Sequence, residues 1–237
     1  LIPLPLSLPG VYAPQDDTDL LVQALGQEPL APRARVLDIG TGTGAVGLAA
    51  ARRGALVTAV DISWRAVLNA KVNAVLARLP MRVVRGNLLA PVSGRSFDLI
   101  LSNPPYVPEP GFGTYGRVRG PARAWDAGSD GRLVLDRICR DSPSLLRPGG
   151  VLLLVQSALS DAERTLAQLR AEGLRAEVVD HRRVAFGPVL RSRSEWLRRR
   201  GLLGDGGDDG DGDDGDGDGD GLAEKEELVI IRAERTG

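Results

Sequence analysis

A chain of 237 residues, 43% hydrophobic and 26% charged, is long enough for one large or two small domains with cores of their own, which excludes disorder throughout. Aromatic residues are only 4%, so the core is expected to be aliphatic. The net charge of −1 hides an asymmetry: residues 204–221 hold nine Asp and nine Gly, leaving 30 basic against 22 acidic side chains, a net of +8, in the other 219 residues.

Helix-like and strand-like segments alternate from about residue 15 to 180, the pattern of an α/β chain with a mostly parallel sheet covered on both faces. Asp16, Asp17 and Thr18 offer N-caps for a helix to Gln27 with Leu21, Val22 and Leu25 on its apolar stripe. Residues 34–39 read as the first buried strand. A helix through Arg53, a strand over 56–60 and a helix capped by Ser63 follow, the last turning Val67, Val72, Val75, Leu76 and Leu79 toward a core. Strands are predicted over 82–84 and 97–101, and a helix over 131–146 stopped by Pro148-Gly149-Gly150. Then come a strand over 151–155, a helix over 161–172 ended by Gly173, and strands over 174–179 and 228–231 that pair as an antiparallel edge ribbon. The expected division is an N-terminal extension over 1–14, a single doubly wound, Rossmann-like domain over 15–181, an Arg-rich insertion over 182–203, a disordered Asp/Gly linker over 204–221, and the last strand and tail over 222–237.

Several classes of chemistry have little or nothing to work with. Cys139 and His181 are the sole cysteine and histidine, so an internal disulfide and a cysteine-clustered metal site are excluded. Histidine-based zinc chemistry and a Ser-His-Asp triad have almost nothing to draw on beyond one imidazole that could serve as a lone base, and no metal is expected. Asp216, Asp218, Asp220, Gly221 and Glu227 match a calcium-loop pattern, but an Asp-Gly repeat makes that match nearly inevitable and amphipathic flanking helices are missing. No apolar run approaches the ~20 residues a spanning helix needs. Residues 1–10 carry three prolines and no basic start, unlike a signal peptide. A cytoplasmic protein off the membrane is expected, and its basic body admits contact with a ribosome or nucleic acid.

The first strand runs into Asp38-Ile39-Gly40-Thr41-Gly42-Thr43-Gly44. Glycines there let a cofactor approach the backbone and leave helix N–H groups facing a polar group. Asp61 ends the next strand, 21 residues beyond Gly40, where a carboxylate can accept both hydroxyls of a ribose, as in NAD or S-adenosylmethionine. Asp38, ahead of the glycines, is an acid that dinucleotide folds do not require.

Residues 97–102 end in Asn103-Pro104-Pro105-Tyr106. In an open parallel sheet this turn falls at the carboxyl edge beside the glycines, where ligands bind. Its rigid backbone offers two acceptors, Asn103 Oδ1 and the Pro104 carbonyl oxygen, to an NH2 group. Holding both N–H bonds of an amide or exocyclic amine steers the nitrogen lone pair toward a sulfonium methyl, and Tyr106 would pack on the planar acceptor.

Asp38–Gly44, Asn103–Tyr106 and the earlier Ala13-Pro14-Gln15-Asp16-Asp17-Thr18 together resemble the HemK/PrmC family of protein-glutamine N5 methyltransferases, which have a class I methyltransferase fold. Trp125-Asp126-Ala127-Gly128-Ser129-Asp130-Gly131-Arg132 resembles the segment that follows the active-site motif in its short, single-domain branch. The resemblance implies S-adenosylmethionine as cofactor, held by Gly40, Gly42 and Gly44, by Asp38, by Asp61 at the ribose, by Thr18 at the methionine end, and by Asn87 at the adenine. It implies Asn103, Pro104 and Tyr106 as catalytic, with Pro105 beside them in acceptor binding. Asn103 would border the cofactor too. The implied acceptor is a glutamine of a peptide chain release factor, and some members of the branch need a small activating subunit. Two other readings stay open: an amino-methyltransferase acting on adenine in DNA or RNA, which shares the tetrapeptide logic, and a non-catalytic RNA- or ribosome-binding protein using residues 182–200.

Overall fold

The computed structural model describes residues 5–110, 127–203 and 224–237. Trp125 and Asp126, the Asp/Gly block and the calcium-loop match within it, apart from Glu227, lie outside the described residues. The strands β1 (Arg35–Ile39), β2 (Leu56–Asp61), β3 (Met81–Arg85), β4 (Phe97–Ser102), β5 (Leu146–Ser157), β6 (Leu174–Ala185) and β7 (Lys225–Arg235) form one sheet in the order β3-β2-β1-β4-β5-β7-β6. Strands β1 to β5 run parallel, and β7 pairs antiparallel with both β5 and β6. This is the mostly parallel sheet with an antiparallel edge ribbon that the alternation predicts.

The helices are α1 (Asp16–Gln27), α2 (Ala45–Arg52), α3 (Trp64–Ala77), α4 (Leu135–Asp141), α5 (Ala162–Ala171) and α6 (Pro188–Arg199). Contacts join α1 to α2 and α2 to α3, and separately α4 to α5, the two helical groups of a doubly wound sheet. The central strands are enclosed on both faces, with Leu37, Ile39, Ile100, Leu101, Leu152 and Leu154 fully buried, as parallel strands covered by helices must be. Cys139 is part of this interior, its thiol pushed up to about 12 by burial. Among the described residues no helix is long and apolar enough to cross a membrane.

Several elements depart from the predicted ones. Asp16, Asp17 and Thr18 lie inside α1, whose N-cap is Gln15 with no side-chain cap; Asp17 faces inward instead. Ser63 does cap α3, accepting from the Ala66 N–H. That helix, however, buries Ala66, Asn69, Ala70, Asn73 and Ala74 and turns Leu68, Val72, Val75 and Leu76 outward. The reason is steric. Gly44 lies so close to Ala70 that even a Cβ on Gly44 would stand 3.2 Å from the Ala70 Cβ, so only small side chains fit that face. Its two asparagines strap the N-terminal segment down: Asn73 Oδ1 accepts the Leu6 N–H (3.0 Å), Asn69 Oδ1 accepts the Leu8 N–H (2.8 Å), and both amides donate to the Leu6 carbonyl.

Pro143 ends the helix predicted over 131–146, which is confined to α4 and followed by one 3-10 turn. Pro148-Gly149-Gly150 interrupts nothing, because it bulges out of β5: Phe97 pairs with Leu146 and Leu99 with Val151. Both ribbon strands outrun their predicted lengths, so residues 182–185 belong to the sheet and the hairpin insertion starts at Phe186.

Candidate active site

The chain fills the sheet from β1 outward to β3 and then returns to place β4 on the other side of β1. The carboxyl ends of β1 and β4 therefore flank the switch point where open α/β sheets bind ligands. Buried Ser102 ties the two ends together by donating to the Ile39 carbonyl at 3.0 Å.

A cavity of about 490 Å³ opens over these ends, within the ~300–1,000 Å³ of small-molecule sites. Gly40 and Gly42 line it with φ of 71° and 55°, backbone that side-chain-bearing residues rarely adopt. Gly44 does not line it; as the left-handed N-cap of α2 it serves the close packing on α3. Asp38 is buried at the cavity wall, with Oδ2 accepting the Thr41 hydroxyl at 2.5 Å and the Gly47 N–H at 3.0 Å. Burial pushes its carboxyl up to about 6 against those two hydrogen bonds. Asp61 also lines the cavity, and its two oxygens accept the Gly42 N–H (3.0 Å) and the Ser63 N–H (2.8 Å). The glycine turn and the carboxylate thus hold each other in place. Thr18 lies on the same wall.

Asn87, like Gly44, is a predicted site residue brought to neither cavity. It is exposed, and Arg85, Gly86 and Leu88 line the wall there. Tyr12 and Trp64 also reach the first cavity. Sequence reasoning missed them because a strapped extension and a helix start carry no local signal of facing a ligand.

A second cavity, of about 270 Å³, adjoins the first, and Asn103 and Pro105 line both, whereas Pro104 and Tyr106 line the second alone. The Asn103 amide donates to Thr18 Oγ1 at 3.4 Å, which leaves Oδ1 for another donor. Behind the turn stands a latch that sequence reasoning missed. Asp17, buried, takes the Tyr12 hydroxyl at 2.8 Å and the Tyr106 hydroxyl at 3.0 Å on one oxygen and both the N–H and hydroxyl of Thr18 on the other. Burial and that carboxylate raise both phenols well above their ordinary range.

The described part of the 125–132 segment buttresses the same turn. Ser160 donates to the Tyr106 carbonyl at 2.7 Å. Gly131 lies against that carbonyl so tightly that a Cβ would overlap it and Ser160 Oγ. Arg132, 1% exposed, pairs with Asp136 at 2.8 Å and bonds Thr165, Gln168 and the carbonyls of Ser160 and Asp161. Its charge is buried but fully partnered.

A wall that joins buried acid, glycine backbone and an apolar rim suits a cationic nucleoside cofactor, and the relatives agree. Residues 6–111 match the methyltransferase small domain. A Methanocaldococcus jannaschii protein named as a protein N5-glutamine methyltransferase is 36% identical over 186 residues, covering 77% of this chain and 90% of its own. The release factor glutamine methyltransferase of Deinococcus radiodurans is 40% identical over 79% of this chain, which spans 66% of that protein. In fold, the chain is similar to the Encephalitozoon cuniculi Mtq2 chain solved with Trm112 (TM-score 0.64, 23% identity, 96% and 99% covered). It is also similar to a Thermus thermophilus 16S rRNA methyltransferase solved with S-adenosylmethionine and guanosine (TM-score 0.58, 23% identity, 97% and 46% covered). The chain belongs to the S-adenosylmethionine-dependent protein N5-glutamine methyltransferases.

Proposed function

We propose that this chain methylates the side-chain amide nitrogen of a glutamine in a peptide chain release factor. The observation that carries the reading is Asn103, which borders both cavities with its Nδ2 held by Thr18. S-adenosylmethionine, when bound in the larger cavity, supplies an electrophilic sulfonium methyl group. In this reading Asp61 accepts the ribose hydroxyls, Gly40 and Gly42 admit the cofactor to the backbone, Asp38 offsets its positive charge and Thr18 borders its methionine end. Asn103 Oδ1 and the Pro104 carbonyl accept the two N–H bonds of the carboxamide, so the nitrogen lone pair points at the methyl group. Pro105 and Tyr106 shape the acceptor cavity, with Tyr106 fixed by Asp17. The catalytic unit is residues 15–185 completed by β7, and the intervening segment is an insertion at its hairpin.

An activating subunit fits the far edge of the sheet. There β3 is an open edge strand beside the outward Leu68, Val72, Val75 and Leu76 of α3, an apolar stripe next to unpaired backbone. The Encephalitozoon protein, solved as a complex with Trm112 in eRF1 methylation, supports a partner of that kind.

Transfer from labelled S-adenosylmethionine to a release factor tests this reading. Label is expected on the factor and lost when its loop glutamine becomes alanine. Asn103→Ala is expected to lower turnover about 100-fold or more, the scale of one positioned polar contact, with cofactor affinity nearly intact. Faster labelling of nucleic acid at an adenine amine would replace the reading by the adenine one.

A further inference from the structure

The second cavity holds a carboxylate that this reading leaves unused. Glu226 of β7, paired with Val184 of β6, lines the cavity with Tyr12, Asp17, Asn103, Pro104 and Tyr106. Its Oε2 is withdrawn from solvent and has no hydrogen-bond partner among the described residues. A buried carboxylate oxygen without a donor destabilises a fold, so a group of this kind calls for a ligand. Asp17, nearby, is the contrast: its oxygens are taken by two phenols and by Thr18. The groups facing Glu226 are Asp17 from α1, Tyr12 from the N-terminal strap, Tyr106 from the turn and Ser157 from the end of β5, none of them cationic. Burial first, then the charge of Asp17, push its carboxyl up to about 7 against hydrogen bonding by Ser157.

We propose that Glu226 is a specificity-determining residue of the acceptor subsite: Oε2 accepts an N–H from the polypeptide bearing the reacting glutamine, and its charge turns away a glutamate at the same place. This rests on the acceptor being a glutamine-bearing polypeptide. Asn103 Oδ1, the Pro104 carbonyl and Glu226 Oε2 are acceptors, and the donors beside them are committed, Tyr12 and Tyr106 to Asp17 and the Asn103 amide to Thr18; the exposed Gln15 and the start of α6 also line the cavity. A carboxamide and peptide N–H groups match those three acceptors, whereas a carboxylate placed among them and beside Asp17 meets repulsion.

The test is steady-state methyl transfer to a release factor at saturating cofactor, from about pH 5.5 to 8.5 across the titration of Glu226, for the wild-type chain, Glu226→Gln and Glu226→Asp. The wild-type kcat/KM is expected to rise with pH through an apparent pKa near 7. Glu226→Gln is expected to flatten that rise and to lower kcat/KM at high pH about 10–100-fold, as for one hydrogen bond to a charged group. The loss should sit mostly in KM, with Glu226→Asp in between. A release factor carrying Glu for Gln should inhibit the Glu226→Gln enzyme more strongly than the wild type. Calorimetry with S-adenosylmethionine checks that each variant is folded; should Glu226→Gln not bind it, the wild-type profile decides, and a flat one overturns the role. A Glu226→Gln enzyme with wild-type KM and pH profile also overturns it, while leaving the glutamine reading intact. Wild-type protein that binds the cofactor yet labels no release factor overturns both.

Discussion

The two cavities that meet at Asn103 are built by different means. The larger cavity is built at strand ends: Gly40 and Gly42 after β1, Asp38 ahead of them and Asp61 at the end of β2. Each part lies within a few residues of a strand terminus, and parallel pairing of β1 with β2 and β4 brings the termini together. The smaller cavity is assembled from far-apart segments: Tyr12 on the strap, Asp17 on α1, Tyr106 after β4 and Glu226 on β7, with Gly131 before α4 packed against the Tyr106 carbonyl. A site built on strand ends survives loss of one side chain as a weaker site. One built by mutual support across the fold loses its shape.

The sharpest way to break that contrast is at Gly131. Its φ of 71° and the overlap of any Cβ with the Tyr106 carbonyl mean that Gly131→Ala must displace the turn. Turnover is expected to fall about 1,000-fold, the upper range for losing a positioned transition-state contact, while calorimetry shows cofactor affinity within about threefold. Equal loss of both would mean that the cavities are one structural unit.

Asp61→Ala makes the converse cut. It removes the proposed ribose contacts, at roughly 1.5–3 kcal/mol each for hydrogen bonds to a charged group, and releases the Gly42 N–H that fixes the glycine turn. S-adenosylmethionine affinity is expected to drop about 100-fold or more, with KM for the release factor unmoved at saturating cofactor. Unchanged affinity in calorimetry would remove Asp61 from the cofactor site.

The same division explains what could be read from the sequence. Asp38, Gly40, Gly42, Asp61 and the tetrapeptide gather around the two cavities as their strand positions imply, because residue type and strand position coincide in a few adjacent residues. Asp17 was misread as a cap, since its partners Tyr12 and Tyr106 are brought to it only by the fold. Spacing alone cannot distinguish a glycine that faces a cavity, such as Gly40, from one that faces a helix, such as Gly44. Glu226 had no local pattern at all, lying between a charged run and an apolar strand. The mostly parallel sheet and its edge ribbon followed from alternation, whereas the strand ends did not. Residues 182–185 are too polar for a core strand, yet they extend β6 because β7 continues beside them.

A third prediction turns on the buried acid of the cofactor wall. Asp38 has its carboxyl raised from 3.8 to about 6. A raised acid binds its proton more tightly in the folded than in the unfolded state, so its stabilising share is fully present below about pH 4 and is lost as pH rises through 6. The loss amounts to about 2–3 kcal/mol at most. Urea unfolding of the cofactor-free chain at about pH 4, near the unfolded value, and at about pH 8, above the folded one, is expected to show Asp38→Asn gaining much more stability over wild type at the higher pH. A gain equal at both would locate the effect in packing rather than in charge.

The smallest expected effect tests where the core ends. Periodicity assigns Val75 and Leu76 to the interior, whereas the structure leaves them 76% and 62% exposed while Asn69 and Asn73 are buried. The two assignments predict different energetics. If these side chains were core, replacing both by Gln would remove buried apolar surface worth about 1.5–3 kcal/mol each and leave polar groups inside. A chain of this length would then lose on the order of 6–24 °C in melting temperature. On the exposed face, Gln is a good helix former and nothing is left unpaired, so the double variant should stay within about 0.5 kcal/mol, or about 2 °C, of wild type. A large drop in a thermal melt of the isolated chain would return the stripe to the core and withdraw the docking role proposed for it. A small one, with solubility rising as apolar surface is removed, places the row of large aliphatic side chains outside the core and leaves the docking role proposed for it standing.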